Sequence, residues 1–162
     1  MRAAPPDTEP GQRGFTLVEA IVVAAIVSVL LGMALGGYRG VLAERRVDRV
    51  AWEIAGAFRL AQQTAVARAG EWQAVRVYLT DRAEVRGLTP AGTETTTLSA
   101  TDVFPDGVRV RRLTGCEPFE VLGSGAPRVG CQGTIEVRSG PAVRYVIVTA
   151  HTGRVRVGTS PP

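Results

Sequence analysis

Residues 13–19 read RGFTLVE, and this stretch decides the fold because it places one carboxylate, Glu19, at the head of a long apolar segment. From Ala20 to Tyr38 the chain has no charged residue, and this run of 19 residues is close to the length of about 20 that a membrane-spanning helix needs. A carboxylate where such a helix enters the bilayer is costly and suggests a function. The sequence therefore predicts a spanning helix with a functional acid at its start.

The same segment resembles the class III signal of type IV pilins and type II secretion pseudopilins, in which a short polar leader ends in glycine before an apolar helix. In that family a prepilin peptidase cuts after the glycine and methylates the new amino terminus. The resemblance implies cleavage between Gly14 and Phe15 and methylation of Phe15. A general secretory signal fits less well, because the apolar run is too long and no small-residue cleavage site follows it.

The resemblance also divides the chain of 162 residues into four parts. These are a cleaved leader (1–14), a transmembrane helix segment (15–38), an amphipathic continuation of the helix (39–69) and an exported β-rich globular domain (70–162). The implied partners are prepilin peptidase, other pilins or pseudopilins in a filament, and the inner membrane.

An assembly role follows for Glu19. A buried carboxylate needs a partner, and in a filament of such helices the nearest cation is the freed amino group of Phe15 on a neighbouring subunit. Glu19 would then set the register of assembly. The alternative is that Glu19 extends toward the lipid headgroups, which costs little near a helix end.

The orientation of the span is a point where two arguments disagree. Two arginines precede the span and four follow it closely, and this excess favours a cytoplasmic C-terminus. They are Arg2 and Arg13 before the span, and Arg39, Arg45, Arg46 and Arg49 after it. The resemblance implies instead that the leader stays in the cytoplasm. We follow the resemblance, which predicts a single-pass inner-membrane protein with a periplasmic or extracellular C-terminal domain, assembled into a pilus or pseudopilus.

The hydrophobic pattern changes period near Gly70. Before it, apolar residues recur at helical spacing from Val47 to Ala65; after it, five segments alternate with period two. The predicted strands are Trp72–Leu79, Val108–Leu113, Thr134–Arg138, Val143–Thr149 and Arg154–Val157. Ala91–Thr101 is predicted to be a surface loop or a weak edge strand. The fold class is α+β and pilin-like: a long N-terminal α-helix packed on a C-terminal antiparallel β-sheet domain.

Cys116 and Cys131 are the only cysteines, and in an exported domain they are most simply a disulfide. A zinc site lacks ligands, since His151 is the only histidine, and a thioredoxin-like pair would be closer in sequence. No catalytic motif, metal site or cofactor is predicted, so we expect a non-enzymatic protein. The carboxylates of the loop-like segments are expected to be solvated; these are Asp102, Asp106, Glu117 and Glu120.

The C-terminal end of the chain is basic. After Glu136 there is no acidic residue, and the four arginines there are Arg138, Arg144, Arg154 and Arg156. Arg154 and Arg156 should project from one face of a strand, with Val155 and Val157 toward the core. Arginines aligned in this way suit phosphate oxygens.

The segment Thr152–Val157 is similar to the Gly-Arg-x-Arg motif of the FimT and pseudopilin-H family of minor pilins, at Gly153, Arg154 and Arg156. In FimT-like members the motif takes part in DNA binding for natural transformation. The resemblance implies a minor pilin that binds the backbone of extracellular double-stranded DNA through Gly153, Arg154 and Arg156, with Arg144 and Arg138 nearby. The alternatives are a type II secretion pseudopilin or a structural minor pilin. Since the chain has no lysine, the arginines are also explained as its only solubilising cations.

Overall fold

The computed structural model describes residues 15–95 and 97–162. The described residues divide into two units, 15–38 and 39–162, and one helix, α1, Leu17–Ala67, contributes to both. Thr16 caps the start of α1, since its Oγ1 accepts a hydrogen bond of 3.3 Å from the Glu19 N–H. The first amides of a helix have no partner within it, so this cap satisfies one of them.

The described part of the first unit is an apolar helix. The window Leu17–Ala34 has a mean hydropathy of 2.5, is long and apolar enough to cross a membrane, and none of it is buried within the protein. An apolar helix with no covering inside its own chain must bury its surface in lipid or against other chains.

In the second unit α1 is amphipathic. Its buried side chains recur at spacings of three and four residues, as predicted, and Val47, Val50, Ile54 and Phe58 are at most 1% exposed. Ala67 is the last helical residue, three positions before Gly70. The helical period therefore places one continuous apolar stripe against the rest of the domain.

In the described part of the chain, eight strands follow α1 and form two antiparallel sheets. Sheet A has the order β3-β2-β1-β5 and sheet B the order β4-β6-β7-β8. The strands are β1 Ala74–Leu79, β2 Ala83–Leu88, β3 Ser99–Ala100, β4 Arg109–Arg112, β5 Phe119–Leu122, β6 Gly133–Ser139, β7 Ala142–Val148 and β8 Val155–Gly158. The α+β class with antiparallel pairing is confirmed.

The sequence patterns missed part of sheet A. β2 carries only two large apolar residues, and its Gly87 is a residue that weakens strand signals. The structure explains this glycine, because a Cβ there would lie 2.9 Å from the Trp72 ring. β5 is only four residues long and contains a buried acid, Glu120. The Thr-rich segment forms a two-residue edge strand, β3, which pairs with β2 at Val85↔Ser99 and so agrees with the predicted weak edge.

One hydrophobic core joins α1, sheet A and sheet B. The inner faces of both sheets share a single hydrophobic cluster with the buried stripe of α1. Phe58 of α1 meets Phe119 of β5 edge to face, with the ring centroids 5.0 Å apart. Aromatic pairs in this geometry contribute beyond their buried area. The core therefore fixes which face of sheet B points outward.

Candidate assembly segment and arginine face

The predicted processing site lies only partly in the described chain. Gly14 is outside the described residues, whereas Phe15 is described just before α1 and is 73% exposed. Glu19 lies in the first turn of α1. A negative charge there is favoured by the helix dipole, and a Thr three residues before a Glu is a capping-box pattern. Sequence reasoning missed this capping role, although the spacing of Thr16 and Glu19 signals it.

β8 presents two arginines on one face, as predicted. Val155 is 9% exposed and Val157 packs against the core, whereas Arg154 and Arg156 are exposed. In the pairing of β8 with β7, Arg156 lies opposite Ile147, so these two residues lie in one row across the sheet. Alternation along an extended chain therefore turns both guanidinium groups away from the core.

Gly153 is placed differently from the arginines that follow it. It is buried in the turn between β7 and β8 with φ of 64°, a left-handed conformation that favours glycine. Gln62 of α1 donates hydrogen bonds from Nε2 to the Gly153 carbonyl (2.6 Å) and to the Gly125 carbonyl (3.2 Å). A Cβ at Gly153 would overlap the Gln62 amide. Gly153 therefore holds the turn on the helix and does not offer a surface for a ligand.

The register of sheet B extends the exposed basic surface well beyond β8. Directly opposed residues of an antiparallel pair share one face of the sheet. Arg109 lies opposite Arg138, and Arg111 lies opposite Glu136. Because Val137 and Ile135 point to the core, these side chains point outward. We define the arginine face as the outer surface of sheet B with its five arginines: Arg109, Arg111, Arg138, Arg154 and Arg156.

Glu136 is the one acidic residue on the strands of this face. Its carboxylate accepts a hydrogen bond of 3.1 Å from Arg138 Nε, and its partner across the β6–β7 ladder is Tyr145. The pKa of Glu136 is lowered, first by this hydrogen bond and further by the charges of Arg138 and Arg111, against the opposing effect of burial. The carboxylate therefore stays ionised and neutralises part of the charge around Arg138.

Arg144 does not join the arginine face. It lies on the same side of β7 as the core residues Val146 and Val148, and its Nε is 2.6 Å from Asp48 Oδ1 on α1. Its side chain is only 21% exposed. The four arginines of the basic C-terminal end therefore include one, Arg144, that stabilises the contact between helix and sheet. This happens because strand alternation turns every second residue inward.

The outer face of sheet A differs from that of sheet B, because its arginines are paired. Arg76 contacts Glu94 and Glu120 at 2.7 Å each, and Arg128 contacts Glu120 at 2.7 Å. The expectation that Glu120 is solvated is wrong: it is 7% exposed between two arginines. Burial opposes its ionisation, but the hydrogen bonds from Arg128 and Arg76 outweigh burial and lower its pKa. Asp102 and Glu117 are exposed, as expected, although each contacts an arginine: Asp102 contacts Arg49, and Glu117 contacts Arg112.

The disulfide predicted from the cysteine pair is present. Cys116 and Cys131 are bonded with an S–S distance of 2.06 Å. The loop that it closes contains β5, so it ties an edge strand of sheet A to the segments that flank sheet B. A depression of about 560 Å³ next to this loop is lined in part by Gly115, Gln132 and Arg156.

Within residues 15–95 and 97–162, no group of three or more His, Cys, Asp or Glu side chains could hold a metal ion. His151 lies exposed in the β7–β8 turn with φ of 62°.

Comparison with known proteins locates one motif. The family described as "Prokaryotic N-terminal methylation motif" matches residues 10–35, the segment that contains Gly14, Phe15 and Glu19. No curated protein and no solved structure matches the chain. The chain therefore carries the N-terminal methylation motif of type IV pilin-like proteins, which supports a membrane-anchored type IV pilin or pseudopilin that is processed by prepilin peptidase and assembles with other pilins.

Proposed function

We propose that the protein is a minor pilin of a type IV pilus that binds extracellular DNA through its arginine face. The observation that carries this proposal is the charge balance of the two sheets. Arg76 on sheet A, and Arg128 in the segment that follows β5, are neutralised by buried or half-buried carboxylates. The arginine face instead has five arginines and a single strand carboxylate. Most guanidinium groups of the arginine face therefore have no carboxylate partner among the described residues, which leaves them available to an anionic ligand.

The chemistry of the arginine face favours backbone contacts. A planar guanidinium matches a phosphate oxygen pair, and such contacts carry no sequence information. Arg154 and Arg156 are both exposed, and the outer strand residues offer Tyr145 as their one aromatic side chain. We therefore expect sequence-independent binding that weakens steeply with salt, because each neutralised phosphate releases counterions.

The assembly part of the proposal concerns the amino terminus. Prepilin peptidase would cut between Gly14 and Phe15 and methylate Phe15, leaving the 15–38 segment in the inner membrane and the 39–162 part outside the cytoplasm. Glu19 would pair with the amino group of Phe15 on the next subunit. The uncovered apolar window Leu17–Ala34 supports packing against other helices in a filament.

A type II secretion pseudopilin is the second candidate, and one observation favours it. Gly153 is required by the turn and by its contact with Gln62, whether or not DNA binds. Part of the Gly-Arg-x-Arg pattern is therefore explained by folding alone. Within this pattern, only Arg154 and Arg156 still support DNA binding.

The test is binding of the purified full chain in detergent micelles to a fluorescein-labelled 20-bp duplex, measured by anisotropy across a salt series. The variant is the double substitution Arg154→Gln, Arg156→Gln. The control is Arg45→Gln, Arg46→Gln, which removes the same charge from exposed positions on α1. With a slope of about 0.9 per phosphate, each contact contributes about eightfold at 0.1 M salt, so the variant should bind about 60-fold more weakly.

The outcomes separate the two candidates. Binding that the control retains and the variant loses supports DNA capture. Absence of binding by the wild-type chain at low salt rejects the DNA proposal and leaves the secretion pseudopilin as the better candidate.

A further inference from the structure

We infer that Arg109 and Arg111 on β4 form a second phosphate-binding set, so that the arginine face contacts both backbones of a DNA duplex across one groove. This inference rests on the proposed DNA binding and adds to it the β4 residues and the groove across which the duplex is held. β4 lies at one edge of sheet B and β8 at the other. The two sets therefore lie at opposite edges of one surface.

The register shows that both sets share this surface. One row runs through Arg111, Glu136, Tyr145 and Gly158, from β4 to β8. The next row contains Thr134 and Ile147, which are buried, and Arg156, which is exposed. Since Arg111 and Arg156 lie in adjacent rows of the same outward parity, both guanidinium groups extend to the same side of the sheet.

The spacing of the two sets fits a duplex groove. From β4 to β8 there are three interstrand steps of about 4.8 Å, and adjacent rows on one face are about 6.8 Å apart. The Cα atoms of Arg111 and Arg156 are therefore about 16 Å apart. The major groove of B-DNA is about 12 Å wide, which is somewhat less than this Cα separation. The arginine side chains cover the difference by reaching the phosphates on the two sides of the groove.

The centre of the face fits the same arrangement. Glu136 and Tyr145 lie opposite each other on β6 and β7, between the two arginine sets. An ionised carboxylate repels a phosphate placed directly over it, and the pKa of Glu136 is lowered. A groove above Glu136, with phosphates at the two edges, avoids this repulsion. A single strand laid across the sheet would pass its backbone over the carboxylate.

The β4 arginines are available for such contacts. Arg109 and Arg111 are exposed, and neither forms an ion pair with any residue that the structure describes. With Glu136 and Arg138 they line a depression of about 480 Å³. The adjacent Arg112 differs, since it lies on the other face of β4 and pairs with Glu117 at 2.8 Å. Two neighbouring arginines of one strand thus have opposite expected roles.

This contrast gives a matched experiment on the full chain in micelles. Arg111→Gln and Arg112→Gln each remove one charge from β4, but only the first removes it from the arginine face. We expect Arg111→Gln to weaken binding to a 20-bp duplex about eightfold at 0.1 M salt, with Arg112→Gln unchanged. The double variant Arg109→Gln, Arg111→Gln should lower the slope of log affinity against log salt concentration by about 1.8 in magnitude. The double variant Arg109→Lys, Arg111→Lys should retain most of the salt slope, because lysine neutralises a phosphate as a point charge, although it lacks the bidentate fork of arginine.

Comparison with the single strand tests the groove geometry. The wild-type chain should bind the duplex more tightly than a 20-nucleotide single strand, and the double glutamine variant should lose this preference. If the wild type binds the duplex but Arg111→Gln and Arg112→Gln behave alike, or if it prefers the single strand, the second set is rejected while the proposed function stands. If the wild type binds neither nucleic acid, the proposed function itself fails. Circular dichroism and the urea midpoint identify any variant that misfolds, and the lysine variant then decides.

Discussion

The substitution Gly153→Ala tests whether the glycine of the Gly-Arg-x-Arg segment is structural. A non-glycine residue with φ of 64° pays about 1–2 kcal/mol for its Cβ. The new methyl group would also overlap the Gln62 amide and lie 2.9 Å from the Gly125 carbonyl. Displacing Gln62 gives up its two hydrogen bonds, each worth about 1 kcal/mol. The total loss of unfolding free energy is about 3–4 kcal/mol.

The measurement is urea unfolding of the full chain in micelles, followed by the fluorescence of its two tryptophans. Gly140→Ala is the matched control, because Gly140 has φ of 56° in the β6–β7 turn with no atom within 4 Å of an added Cβ. We expect this control to lose only the backbone part, about 1–2 kcal/mol. Equal losses for the two variants would show that the contact with Gln62 contributes nothing, and the structural explanation of Gly153 would be withdrawn.

Three further predictions concern the core, the disulfide and acid stability. Phe58→Ala should lower the free energy of unfolding by about 3–5 kcal/mol, since Phe58 is 1% exposed and loses its contact with Phe119; urea unfolding measures this loss, and a loss below 1 kcal/mol would contradict the shared core. Replacing Cys116 and Cys131 by serine should lower the free energy of unfolding by about 3 kcal/mol, because the loop of 15 residues is then open in the unfolded chain. Urea midpoints measured with and without reductant check this: reductant should lower the midpoint of the wild type and leave that of the variant unchanged. Because the pKa of Glu120 is lower in the folded chain than the unfolded value of about 4.3, its ionisation stabilises the fold above that pH, and this contribution is lost as the pH falls through the folded pKa. The urea midpoint, measured from pH 7 to pH 2.5, should therefore fall below about pH 4.5, and it should fall less steeply with pH in Glu120→Gln. An equal fall of the midpoint with pH in both proteins would contradict the assignment.

Periodicity predicted the long helix and most of sheet B. The stripe from Val47 to Phe58 and the alternation in β6 and β7 are strong signals, because one face of each element is fully buried. β2 and β5 were missed for the opposite reason: Gly87 receives the Trp72 ring and Glu120 is a buried acid, and neither contact can be read from neighbours in sequence.

For the arginine face, the sequence predicted the shared side of Arg154 and Arg156, whereas the structure places Arg144, predicted as a further DNA contact, on the opposite side of sheet B. Alternation places residues on one of two sides of a strand, yet only strand pairing shows which side faces the core. The salt bridge of Arg144 with Asp48 joins residues far apart in the chain. The alignment of Arg111 with Glu136 depends in the same way on the register of β4 against β6.

The sequence by itself determined the N-terminal motif at residues 10–35, the apolar helix and the cysteine pair, because these depend on local order and composition. Only the tertiary structure decided that Gly153 is buried in a turn that contacts α1, that Arg144 pairs with an acid of α1, and that Arg109 and Arg111 share a surface with Arg156. Each of these outcomes depends on contacts between residues distant in sequence. Such contacts are fixed by strand register and by packing against α1, which no local pattern encodes.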